Sequence, residues 1–506
     1  MSVGISSISE AGGYAAIITI ECDIRKGLPG IIIVGFANRA VDEAKERLRG
    51  AFHASKLDFP KQRITINLAP ADIPKEGSGF DLGIAVAIMT ASGVISKDGL
   101  KNDSLFIGEL GLDGDVRPIR GIIGKILAGK SKGFKTFYIP SKNLSQAQLV
   151  PDVKLIPLAT LRDVYLDLTD ALKIKTIQTD LGRSPEVDQT SDIDLRDISG
   201  QARAKRVLEI AVAGGHNILF SGPPGTGKSM LAKALPGILP PMSIDEILEV
   251  THLHSLASNN FDEIITKRPF RGPHHSASTT AIIGGGAAAK PGEISLAHRG
   301  VLFLDEFPEY TRSTIEALRQ PLEDKSITIA RARQNAIYPA DFMLVATSNP
   351  CPCGYYGTNK PCVCLPFAIL KYKQKLSGPI IDRIDLYADV DNIQHDQLLK
   401  DNQGTESSEQ VQKRIIAARA VQKQRFKSNK TNSTLTNREI KACAHLDPKA
   451  EILLNAAAEK LQISARVYMR LIKVARTIAD LENSTNIKTS HISEAIQYRK
   501  PEDKQY

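Results

Sequence analysis

Long apolar runs are missing from this 506-residue chain. None approaches the roughly 18 residues that would cross a bilayer, and the densest, 82–91, is interrupted by Gly83, so no membrane span is expected. The start, Met1-Ser-Val-Gly-Ile5, lacks the basic residues and apolar stretch of a secretory signal, which makes a cytoplasmic location the expectation. Aromatic residues are sparse at 5%, and no stacking platform for bases stands out. Cysteine is scarce as well: six residues without an export signal point to reduced thiols or a metal site. Charge is only mildly one-sided. The 65 Lys+Arg against 56 Asp+Glu leave a formal +9, which permits a polyanionic partner without requiring one. There is no internal repeat and no low-complexity tract. What remains is a globular composition, 42% hydrophobic and 24% charged, long enough for two to four domains of ordinary size.

The pattern along the chain divides it into four parts. Within 1–168, β-branched runs at 30–35, 63–67 and 136–140 read as strands, and 41–55 and 81–92 as helices, giving an α+β front domain. Residues 169–195 are polar, lack a sustained apolar period and read as a linker. Between 196 and 390 helical and apolar-strand patterns alternate, as in a parallel-sheet α/β core. From 391 to 506 the signals are helical, at 409–426, 448–461, 464–481 and 490–497.

The strongest chemical signal is Gly222-Pro-Pro-Gly-Thr-Gly-Lys-Ser229, preceded by an apolar strand and followed by a helix. Gly222, Gly225 and Gly227 let the backbone curl, so that its N–H groups face phosphate oxygens. With Pro223, Pro224 and Thr226, these residues form the expected ATP cradle. Lys228 is placed to reach the β- and γ-phosphates and Ser229 to hold Mg²⁺. Downstream, Gly300-Val-Leu-Phe-Leu-Asp-Glu-Phe307 reads as a buried strand ending in two acids. There Asp305 fits a metal-water contact and Glu306 the polarisation of the attacking water. A third strand runs into Asn349, placed to sense the γ-phosphate.

Four of the six cysteines, Cys351, Cys353, Cys362 and Cys364, form a C-x-C-x₈-C-x-C loop among Pro and Gly. Such a loop has no core of its own, and a structural Zn²⁺ held by four thiolates would fold it. Residues 326–338 alternate, turn and return as a β-hairpin with Arg331 and Arg333 near its tip. Upstream, Arg271, His274 and His275 lead into a small-residue stretch, 279–286, expected to be a mobile loop. These basic residues read either as contacts to a nucleic-acid backbone or as solvated turn and packing residues. The basic helix at 409–430 reads as a wet surface face.

Together these features resemble the AAA+ ATPases, over about 197–500. The resemblance implies that Ile198 and Gln201 lie on the adenine side. It makes Arg383, in Ser377-Gly-Pro-Ile-Ile-Asp-Arg383, the arginine finger of the magnesium-chelatase branch, and Arg466, in Ser464-Ala-Arg466, the second sensor. A finger acting on a neighbour's nucleotide implies a closed ring. In the front domain, 74–85 and 108–121 with Lys125 resemble the Lon-type protease domain. That family's serine position falls on Gly79, with Ser78 one residue early, so the fold is expected without the peptidase activity.

The full order, Lon-like front, P-loop core, four-Cys loop and helical lid, resembles the magnesium-chelatase-like ComM/YifB family. That likeness implies a hexameric ATPase moving on single-stranded or branched DNA during natural transformation, in the company of recombination proteins. Two enzymatic alternatives stay open. One is a motor for magnesium insertion into a tetrapyrrole, which the domain order opposes. The other is an ATP-dependent peptidase, which Gly79 opposes. A non-hydrolysing DNA-binding scaffold is the third.

Overall fold

The computed structural model describes residues 3–11, 14–35, 39–71, 78–179, 193–286, 289–329, 335–375, 380–392 and 406–499. The front domain opens on an antiparallel pair, Val3–Ala11 with Tyr14–Arg25, which the sequence patterning does not single out. Arg63–Ala69 adds antiparallel to the second strand, and Gly30–Val34 then pairs parallel to Arg63–Ala69. Over this sheet lies Asp81–Ala91, a helix apolar on every side and buried from Asp81 to Thr90, as such composition requires. Gly83 lets it approach closely, because a Cβ there would stand 2.7 Å from Ile20 Cδ1. A second sheet aligns Ser104–Phe106, Thr136–Pro140 and Lys154–Leu158 in parallel, with Ile177–Gln178 antiparallel on its edge. That last pair falls inside the segment expected to be a linker, so part of 169–195 belongs to the front domain. Two residues suffice because the edge strand needs only backbone partners, which leave no apolar period to read.

The core is a five-stranded, all-parallel sheet in the order Phe270–Arg271, Val301–Leu304, Met343–Ser348, Ile218–Ser221, Leu386–Asp389. Val301–Leu304 and Met343–Ser348 are buried throughout, as expected of strands covered on both faces. In such sheets ligands collect beyond the carboxyl ends of the strands, which is where Gly222, Asp305 and Asn349 stand. The hairpin at 326–338 is present as Ser326–Ile329 paired with Ala336–Pro339, but Arg331 and Arg333 lie outside the described residues. The stretch expected to be a mobile loop contains a short helix, Thr279–Ile283, whose N-cap Ser278 accepts from Ala281 N–H. Its Gly284–Gly285 then pairs with Lys290–Pro291.

The C-terminal helices Ser408–Phe426, Asn437–Cys443, Pro448–Lys460, Ala465–Leu481 and Thr489–Gln497 share one apolar cluster with the core helix Ala202–Gly214. The basic helix is a wet face only in part: Lys413, Lys423 and Lys427 are exposed, but its arginines are engaged. Arg414 bonds buried Glu209 at 2.6 Å, Arg419 donates to Val212 O, and Arg425 pairs with buried Asp480. Front domain and core also touch: Gln146 Nε2 donates to Glu263 O at 3.0 Å, and Gly124 faces the His252 ring.

Candidate nucleotide-hydrolysis site

The turn 222–227 joins the central strand Ile218–Ser221 to the helix Lys228–Lys233. Gly225 and Gly227 take φ of +80° and +90°, the left-handed region where side chains are strained. Gly222 is required for another reason: a Cβ there would stand 2.2 Å from Val390 O. Lys228 is buried and donates to Gly222 O, Pro223 O and, at 3.2 Å, Asn349 Oδ1. Burial pushes its pKa below the usual lysine value, while Asp305 and Glu306 pull it back up.

Ser229 Oγ donates to Asp305 Oδ2 at 2.8 Å, so a hydroxyl and a carboxylate converge as an octahedral Mg²⁺ with several waters would need. Thr347, absent from the sequence-based site, ties the acidic pair together. Its hydroxyl donates to Asp305 Oδ1 at 2.5 Å and accepts from Glu306 N–H at 2.9 Å. Glu306 sits at φ +50°, an uncommon conformation held by that bond, with its carboxylate half exposed. The signal for Thr347 was present as a polar residue two before Asn349 on a buried strand. Gln201, also left-handed, spans from Thr226 O to Asp391 O, and Ile198 packs in the core beneath it.

The residues assigned to nucleic acid separate. Arg271 is held bidentately by Glu293, both contacts 2.6 Å, so its fork is committed inside the protein. His275 faces Glu306 at 3.9 Å, and the His274 ring lies tilted against His275 with ring centres 4.1 Å apart. Their position near Glu306, and not on a separate basic surface, comes from the strand Phe270–Arg271 ending next to Val301–Leu304.

The four cysteines are brought together. All four sulfurs lie within 4.8 Å of one another, with Sγ–Sγ separations of 3.4, 3.5 and 3.7 Å among Cys351, Cys353 and Cys362. Thiolates on a tetrahedral zinc about 2.3 Å away stand about 3.8 Å apart, so the set fits Zn²⁺. Cys351 follows Asn349 by two residues, and Gly354 lies against Pro224 of the phosphate loop.

Arg383 and Arg466 are elsewhere. Arg383 precedes the strand Leu386–Asp389, whereas the phosphate loop follows the paired strand Ile218–Ser221. Four residues at about 3.3 Å each put roughly 13 Å of strand between the two ends. Both arginines meet Glu323, Arg383 directly and Arg466 at 3.8 Å, at a cavity of about 1080 Å³. The Lon-like constellation is also apart: Ser78 bonds Glu109, Lys125 donates to Arg120 O, and Gly79 faces Ile119. No nucleophile–lysine pair is formed among these described residues.

Residues 194–398 match the family model described as Magnesium chelatase, subunit ChlI. Residues 20–143 match Subunit ChlI of Mg-chelatase, and 405–499 match Magnesium chelatase, subunit ChlI C-terminal. Competence protein ComM of Haemophilus influenzae is 42% identical over 499 residues, covering 98% of this chain and 97% of its own. Uncharacterized protein YifB of Salmonella typhimurium is 43% identical over 503 residues, 99% and 97% of the two chains. Lon protease 1 of Myxococcus xanthus is 28% identical over 192 residues, 36% of this chain and 22% of its own. Because a model bearing the chelatase subunit's name matches the front domain, domain order does not set this chain apart from chelatase-like proteins.

Proposed function

Given that the chain belongs to the ComM/YifB family of magnesium-chelatase-like AAA+ proteins, we propose that it is an ATPase whose ring drives movement along single-stranded or branched DNA. The observation that carries the hydrolytic part is the convergence of Lys228, Ser229, Asp305 and Asn349, with Thr347 fixing the acidic pair. The backbone of 222–227 and Lys228 bind the phosphates. Ser229 and Asp305 would hold Mg²⁺, which would neutralise phosphate charge. Glu306 orients water for attack on the γ-phosphorus and accepts its proton as the bond to the β-phosphate oxygen breaks, releasing ADP and phosphate. Arg383 and Arg466, remote from their own chain's phosphate loop, serve the neighbour's nucleotide, which makes the ring, a hexamer, the active unit.

The DNA part rests on the relative named a competence protein and on the net positive charge. A Zn²⁺ on Cys351, Cys353, Cys362 and Cys364 is structural in this reading. The test is ATP turnover with and without forked DNA. Turnover should rise with DNA, and Glu306→Gln should abolish it while retaining bound ATP. Turnover indifferent to DNA would remove the motor reading and favour the second one, a motor for magnesium insertion, to which the chelatase-named front domain lends support.

A further inference from the structure

The turn carrying Arg383 is gripped from two sides. Three consecutive backbone carbonyls are engaged there: Arg470 of the lid helix Ala465–Leu481 donates to Asp382 O and, at 2.7 Å, to Ile384 O, while Asn217 Nδ2 donates to Arg383 O at 2.8 Å. Arg470 Nε also pairs with Asp385 Oδ1 at 3.4 Å. The Asp385 carboxylate in turn meets the His216 ring at 3.2 Å and Asn217 N–H at 3.3 Å. Asn217 Oδ1 accepts from Leu344 N–H, so the grip reaches the strand leading to Asn349. Arg470 thus holds the backbone of this turn from the lid, with its side chain only 11% exposed, while Arg466 of the same helix pairs with the Asp382 carboxylate at 3.7 Å. Arg466, one helical turn earlier on the same lid helix, shares Glu323 with Arg383. A planar fork spanning two carbonyls and a carboxylate is a task that lysine's single ammonium cannot copy.

We propose that Arg470 is a positioning residue: it locks the Arg383 turn to the lid, so that Arg383 and Arg466 enter the neighbouring subunit's nucleotide site as one unit set by lid orientation. The proposal rests on the reading that Arg383 acts across the subunit seam. Misplacing a reacting group by about an ångström costs on the order of 100-fold in rate, which sets the size of the expected effect.

The test uses assembled, full-length Arg470→Ala with ATP and DNA. Its turnover should fall about 100-fold, with ATP affinity and ring mass unchanged. Mixing it with Glu306→Gln, which cannot hydrolyse but has an intact finger, should restore part of the turnover, because the variant's sound phosphate loop then receives a competent neighbour. A merely structural defect would not be rescued by a partner. Arg470→Lys should recover stability but little turnover, and it carries the test if Arg470→Ala does not fold. Normal turnover in Arg470→Ala, or a loss that Glu306→Gln fails to rescue where it rescues Arg383→Ala, overturns the proposal. Full turnover in Arg383→Ala overturns the seam reading itself, and this inference with it.

Discussion

At the scale of single residues, Thr347 shows how little of a site need be acidic or basic to matter. Its hydroxyl holds Asp305 and the backbone of Glu306 together. Hydrogen bonds to charged groups contribute about 1.5–3 kcal/mol, so Thr347→Val should cut turnover about 10- to 100-fold with ATP binding nearly unchanged, as read by steady-state kinetics beside a binding titration. In the front domain, buried Asp81 is bonded by Arg47 at 2.8 Å, yet burial outweighs that pair and raises its carboxyl to about 6. Between the usual carboxylate value and about 6, the native state keeps a proton that the unfolded chain has released. This group's contribution to stability therefore falls as pH rises through that window and levels off above it. The melting temperature of the unaltered protein minus that of Asp81→Asn should decline from about pH 4 to about pH 6 and then stay flat. Lys228 and Ser229 stood out in the sequence because phosphate chemistry constrains spacing within one strand–turn–helix, and Asp305 and Glu306 because they end a buried apolar strand. Thr347 left only a faint sign, a polar residue on a buried strand, because its partners Asp305 and Glu306 stand at the end of a neighbouring strand.

At the scale of elements, patterns set by local partners are legible in the sequence, and those that depend on a distant partner are not. The helices 448–461 and 464–481 correspond to Pro448–Lys460 and Ala465–Leu481, with apolar period and N-caps in the sequence. The packing of the basic helix Ser408–Phe426 is illegible because Glu209 is 205 residues from Arg414 and Asp480 is 55 from Arg425. Arg271 misleads in the same way, since its charge is committed to Glu293. The four-Cys loop is the counter-example: all its partners lie within fourteen residues of sequence, and the sulfurs come together as the spacing implied. Purified protein should carry about one zinc per chain by elemental analysis. Changing Cys351 and Cys362 to serine together should remove the metal and lower the melting temperature; metal retained in that variant would refute the site.

At the scale of the whole molecule, the front domain is docked on the core rather than strung from it. Gln146 reaches two carbonyls of the 260–263 turn, and Gly124 lies so near His252 that a Cβ would stand 2.4 Å from its ring. Gly124→Val should pry this contact apart. Calorimetry should then show two melting transitions where the unaltered protein shows a common one, and a variant that still melts as one body would sink that view. None of this docking was legible in the sequence, because the groups that meet, Gln146 with the 260–263 carbonyls and Gly124 with His252, lie more than 110 residues apart and carry no local pattern.

The contact of Gly354 with Pro224 ties the thiol-rich turn to the glycine-rich loop 222–227. On the reading proposed above, a cell starved of a trace metal, or struck by an oxidising burst, would feel the shortage first as slackened fuel consumption, long before the polypeptide itself came apart.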